Sequence, residues 1–256
     1  MSEEQDIRDC VVFLCSARDQ FICTAFLVGV TSEIPNYSFL YLVTAKHVAE
    51  TLINKPFLVR MNNNKGSCEY ISVEATRWYF HPSDKTADVA VLPFTFDKEA
   101  IEFKMLPLEM LVSDNIVQTK TIRVGNEVWI PGLFVFATGS QRNQPIVRTG
   151  NIAMLPNEPI PTEHGNIEAY LIEARSIGGI SGSPVFVYSY RNRMMYLLGM
   201  MRGHWAIRSE TINAVFPIPD DRGVNLGIAV VSPAKKILET LNQPELVKLR
   251  GKAETE

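Results

Sequence analysis

Cysteine is scarce in this chain: four in 256 residues, at positions 10, 15, 23 and 68. Cys10, Cys15 and Cys23 fall within one short stretch that reads as strand, and none of the four shows the paired spacing of metal ligands. That argues against a disulfide scaffold and a zinc module, and leaves reduced thiols in or near the core. Charge of one sign is also missing. Lys and Arg number 25 against 28 Asp and Glu, for a net charge of −3, and no basic block stands out. Nucleic acid and anionic membrane are therefore not expected as partners. No apolar run approaches the roughly 18 residues that cross a bilayer. The opening Met1-Ser2-Glu3-Glu4-Gln5-Asp6 is acidic where a secretory signal would be basic and then apolar, so a cytoplasmic location is expected. His81, Asp84 and Asp88 are residue types that can bind a metal, but His81-Pro82-Ser83-Asp84-Lys85 reads as a turn. No metal and no cofactor are expected.

What is present is a β pattern: short β-branched or aromatic runs broken by Gly, Pro, Asn and Asp. With 46% apolar and 21% charged residues, the chain suits one large domain or two barrels sharing an interface. Strands are predicted over 11–15 and 21–30, joined in a hairpin, then over 39–44, 57–61, 68–75 and 88–94. His47 falls in a single helical turn. The segment 97–113 crosses over to a second group of strands at 116–122, 128–130, 133–137, 146–154, 170–174, 184–188, 196–201 and 226–231. A helix is expected over 232–243, with Ser232 as cap and Pro233 at its first position. A charged tail is expected over 244–256.

The chemistry gathers at Gly179-Ile180-Ser181-Gly182-Ser183-Pro184, a serine between glycines in a turn that leads into Val185-Phe186-Val187. A hydroxyl is a poor nucleophile without a base beside it. Upstream, Leu42-Val43-Thr44-Ala45-Lys46-His47-Val48 supplies a histidine at the end of a β-rich run. Thr86-Ala87-Asp88-Val89-Ala90-Val91-Leu92 supplies an aspartate at the mouth of an apolar strand. An α/β-hydrolase would need Gly-x-Ser-x-Gly followed by an acid and a histidine. Position 183 is Ser, only His204 follows Ser181, and no acid lies between them, so that architecture is excluded.

In type, order and flanking residues the three segments resemble the chymotrypsin/trypsin-like serine peptidases, above all the bacterial members. Those carry Thr-Ala-x-His-Val, Asp-Val-Ala-Val-Leu and Gly-x-Ser-Gly-x-Pro-Val signatures. The resemblance implies an all-β fold of two antiparallel, six-stranded-type barrels with a C-terminal helix. The first barrel would span 1–113 and carry His47 and Asp88, and the second would span 114–231 and carry Ser181. It implies Ser181 as nucleophile, His47 as general base and Asp88 as the carboxylate that orients it. The amides of Gly179 and Ser181 would form the oxyanion hole. Ile180 stands where many secreted members carry an aspartate that pairs with a new N-terminus, so activation of that kind is not expected. By the same analogy Arg175, Arg202, Gly203, His204, Gly227 and Ala229 would line the primary specificity pocket, whose three basic groups favour an acidic side chain. The expected partners are a protein or peptide substrate and a regulatory protein that restrains it. The alternative is a scaffold of this fold that docks peptides without turning them over.

Overall fold

The computed structural model describes residues 7–74, 77–118, 121–162, 165–174, 179–191, 193–207 and 224–255. In the first half, β1 (Val11–Ala17), β2 (Gln20–Thr31), β3 (Ser38–Thr44), β4 (Phe57–Asn62), β5 (Cys68–Val73), β6 (Tyr79–Phe80) and β7 (Ala90–Pro93) pair in the order β5-β4-β1-β2-β3-β7-β6. A short strand β8 (Leu106–Pro107) joins β2 in parallel. Phe13, Phe26, Leu42 and Phe57, all fully buried, form the packed interior of this half. Asp19, at φ 60°, makes the tight turn between β1 and β2, where Ala17 pairs with Gln20.

The second half closes into a barrel. Its members are β9 (Glu127–Gly132), β10 (Ile146–Met154), β13 (Tyr170–Glu173), β14 (Pro184–Ser189), β15 (Met194–Ile207) and β16 (Val224–Pro233), in the order β10-β13-β16-β15-β14-β9. A small hairpin of β11 (Ile160–Thr162) and β12 (Gly165–Ile167) lies apart from it. The all-β expectation is met. The second half is a closed six-stranded barrel, whereas the first is a sheet whose hydrogen-bonded order ends at β5 and β6 among the described residues. The crossover is as expected: the Val112 amide donates to the Leu197 carbonyl at 2.9 Å, after β8 has met β2. Buried residues of both halves form one continuous cluster, in which Met200 and Met201 are core residues.

Four expectations are corrected. Among the described residues, 116–118 are helical and not part of the strand expected over 116–122. Helix α2 (Asp114–Gln118) occupies that place, because the Ile116 and Val117 amides turn back to the Ser113 carbonyl at 3.1 and 3.4 Å. Residues 133–137 do not pair either: the Leu133 amide is taken by the Thr24 hydroxyl, and the Ala137 amide closes a turn onto Phe134. The helix expected over 232–243 begins later. Strand β16 runs through Pro233, Ser232 lies opposite Met200, and the helix is Ala234–Leu241 with no side-chain cap. Last, 244–256 is not simply a tail, because Pro244 opens a second helix, Pro244–Ala253, in which Leu246 is fully buried. These two helices are α3 and α4 below.

Candidate active site

Helix α1 (Lys46–Leu52) follows β3 directly, with Ala45 extended at its N-terminus. Val48, Ala49 and Leu52 face the core, which turns His47 outward with half of its side chain exposed. The His47 amide donates to Asp88 Oδ1 at 2.9 Å, and the ring Nδ1 lies 2.8 Å from Asp88 Oδ2. A carboxylate accepts only, so this pairing puts the proton on Nδ1 and leaves Nε2 as the acceptor. Asp88 is buried just before β7. Burial opposes its ionisation most strongly, yet the hydrogen bonds from the His47 ring and amide, with the Arg202 charge, hold its carboxyl below the usual range.

The loop that presents Asp88 is itself fixed. Asp84 accepts from the Thr86 amide at 2.9 Å and from its hydroxyl at 2.6 Å, and ion-pairs with Lys236 of α3 at 2.9 Å. His81 is tied to Glu239 of α3 at 2.7 Å and accepts from the Asp84 amide, so it serves this loop. No cluster of three or more potential metal ligands occurs among the described residues.

The serine turn is pinned to the opposite half. The Ser183 amide bonds the Ile180 carbonyl at 2.9 Å, and the Gly182 amide bonds Met201 of β15 at 2.9 Å. From β2, the Thr24 hydroxyl donates to the Gly179 carbonyl at 3.0 Å and accepts from the Leu133 amide at 2.9 Å. The Thr24 amide donates to the Ser181 carbonyl at 3.3 Å, and the Thr44 hydroxyl donates to the Thr24 carbonyl at 2.9 Å. Gly182 sits at φ 82°, where a Cβ would lie 2.1 Å from the Thr24 carbonyl oxygen and 2.4 Å from the Thr44 hydroxyl, so only glycine fits. Thr24 and Thr44 are fully buried, and nothing in the sequence distinguishes them from other strand threonines.

The Ser181 hydroxyl donates to the Arg202 carbonyl at 3.4 Å, whereas the ring hydrogen bond of His47 goes to Asp88. Among the described residues no hydrogen bond to the amides of Gly179 or Ser181 is seen. Val135, which is exposed, and Leu133 border Gly179.

Arg202 departs from its expected place on a pocket wall. Its Nη1 donates to the Thr86 carbonyl at 2.9 Å and its Nε lies 3.9 Å from Asp88 Oδ2, so the guanidinium is turned toward the acid loop. Gly203 follows it in β15, and exposed His204 lies opposite buried Ala229 of β16. Gly227, at φ 75°, accepts from the Ala174 amide at 2.9 Å. Arg175 lies outside the described residues.

No protein-family model and no curated protein sequence matches the chain. Among solved structures the chain is similar to the MamO protease domain from Magnetospirillum magneticum in its apo form. The TM-score is 0.58 at 14% identity, over 93% of this chain and 99% of that one. The fold is chymotrypsin-like, the scaffold of trypsin-like proteases. At that identity the likeness speaks for the scaffold and for nothing finer.

Proposed function

We propose that the chain is a serine endopeptidase in which His47, Asp88 and Ser181 act as base, orienting carboxylate and nucleophile. The observation that carries this reading is the two-point grip of Asp88 on His47, through ring and amide, across from a serine turn anchored on the same sheet by Thr24. Ser181 Oγ would attack the peptide carbonyl carbon while its proton passes to His47 Nε2. The oxyanion would be met by the amides of Gly179 and Ser181. The C–N bond would then break as His47 returns the proton to the leaving amine, and water would release the acyl group by the same relay.

Gly203, His204, Gly227 and Ala229 remain the proposed substrate-side residues. Selection of an acidic side chain is not carried forward, because the guanidinium of Arg202 is already engaged by Thr86 and Asp88. Cysteines present as thiols suit the proposed cytoplasmic setting. Among the described residues no helix is long and apolar enough to cross a membrane. A protein or peptide partner fits the scaffold.

A second reading, a peptide-docking scaffold without turnover, is favoured by one observation: the Ser181 hydroxyl rests on the Arg202 carbonyl. A fluorophosphonate probe separates the two. Labelling of the wild-type chain that disappears in Ser181→Ala supports the peptidase, and a folded wild-type chain that never labels supports the scaffold. With a cleavable peptide, Ser181→Ala and His47→Ala should each lower kcat by on the order of 10⁶-fold, with little further loss in the double variant.

A further inference from the structure

Arg202 makes three contacts at the candidate site, and none of them is a role expected from its sequence position. Its carbonyl takes the Ser181 hydroxyl, its Nη1 is anchored on the Thr86 carbonyl, and its Nε approaches Asp88 Oδ2. That oxygen is also the one bonded to His47 Nδ1 at 2.8 Å. One carboxylate oxygen therefore serves two cationic partners, an imidazole that can gain a proton and a guanidinium that is always charged. The Thr86 bond holds the guanidinium in place, and three-quarters of the Arg202 side chain is shielded from solvent.

The other charged and titratable groups near the pair are engaged elsewhere, exposed to solvent or, in the case of Cys23, neutral. Lys46 reaches the Lys85 carbonyl at 3.1 Å and Glu50 at 3.9 Å, and Asp84 is held by Lys236. The Lys85 side chain and His204 are exposed. Cys23, whose thiol lies 3.7 Å from the Thr44 hydroxyl, is fully buried and stays protonated because burial pushes it up to about 12.

We propose that Arg202 is a positioning residue that shares the Asp88 carboxylate with His47 and so restrains proton uptake by the imidazole. The inference deepens the peptidase reading and rests on it for its catalytic meaning. When His47 takes the serine proton, the new positive charge needs the field of Asp88, and a guanidinium already facing the same oxygen offsets part of that field.

The test is an NMR titration of the His47 ring in the full-length chain, with the resonance assigned by its loss in His47→Gln. Wild type is compared with Arg202→Gln and Arg202→Met. Removing the guanidinium charge should stabilise the imidazolium and raise the His47 midpoint by roughly half to one pH unit in either variant. The ring resonances of His81, which contacts Glu239, should keep their wild-type positions at a fixed pH and report intact folding. An unmoved His47 midpoint in a folded variant overturns the proposal. Failure of both variants to fold would overturn it too, since Arg202 would then be a purely structural residue. The titration reads the same whether or not the chain hydrolyses peptides. A wild-type chain that does not react with the fluorophosphonate therefore counts against the peptidase reading alone. In an active chain, the acidic limb of kcat/KM should move upward by the same amount as the midpoint.

Discussion

At the scale of single residues, the site depends on charges placed where burial alone would forbid them. Asp88 is 6% exposed, a position at which a lone carboxylate would protonate, and the His47 bonds with the Arg202 charge reverse that tendency. The consequence for stability has a definite sign. Because the folded carboxyl is held below its unfolded value of about 3.9, the unfolded chain binds more protons as pH falls through that region. The stabilisation is therefore fully present above about pH 4 and is lost progressively below it. Asp84, held low by Thr86 and Lys236 against the opposing effect of burial, adds to the same trend. Urea unfolding measured from pH 6 to 2.5 should show a shallower loss of stability in Asp88→Asn than in wild type. Parallel curves would mean that Asp88 is not held as described. His47, Asp88 and Ser181 stood out in the sequence as candidates because each sits in a short, distinctive run of neighbours. Thr24, Thr44 and the true direction of Arg202 did not, since a strand threonine looks the same in sequence whether it faces solvent or a turn some 155 residues away.

At the scale of elements, strands with strong alternation or continuous apolar runs were read correctly within a few residues. One of the errors falls where a tertiary contact claims a backbone group. Residues 133–137 have the composition of a strand, yet they form a wall beside Gly179 because Thr24 takes the Leu133 amide. The following stretch is riveted by Arg60 of β4, which is fully buried. Its guanidinium donates to the carbonyls of Thr138, Gly139 and Ser140, to Asn143 Oδ1 and to Cys68 Sγ. Asn143 returns a bond to the Arg60 carbonyl at 2.7 Å. Lysine has one donor centre where arginine has a planar fork, so Arg60→Lys strands several partly buried carbonyls. We expect it to cost on the order of 3 kcal/mol, read as a lower urea midpoint, together with faster proteolysis in 138–143. An unchanged midpoint would show that the loop is not held by Arg60.

At the scale of the molecule, the two C-terminal helices brace the half that carries His47 and Asp88. Lys236 and Glu239 of α3 grip the acid loop. Arg250 of α4 donates to the Tyr41 hydroxyl of β3 and to the Leu241 carbonyl, both at 2.9 Å, and Glu254 accepts from the Ser32 hydroxyl at 2.6 Å. Arg77 adds a bidentate pair to Glu245. Leu246, with no exposed surface, is the apolar anchor of α4. Leu246→Ala should lower stability by about 2–5 kcal/mol in a single cooperative transition. A separate early transition would mean that α4 unfolds independently of the sheet it covers. The charge-rich composition of 244–256 concealed this helix: only Leu246 and Arg250 of it are buried, too few to give a clear periodic stripe.

The all-β class, the two groups of strands and the chain order of histidine, aspartate and serine follow from residue pattern alone, because strand alternation and turn chemistry are local. Only the folded chain decides that the Ser181 hydroxyl rests on a carbonyl of β15 and that Arg202 turns to Asp88, since both depend on where distant backbone groups find partners once water is excluded.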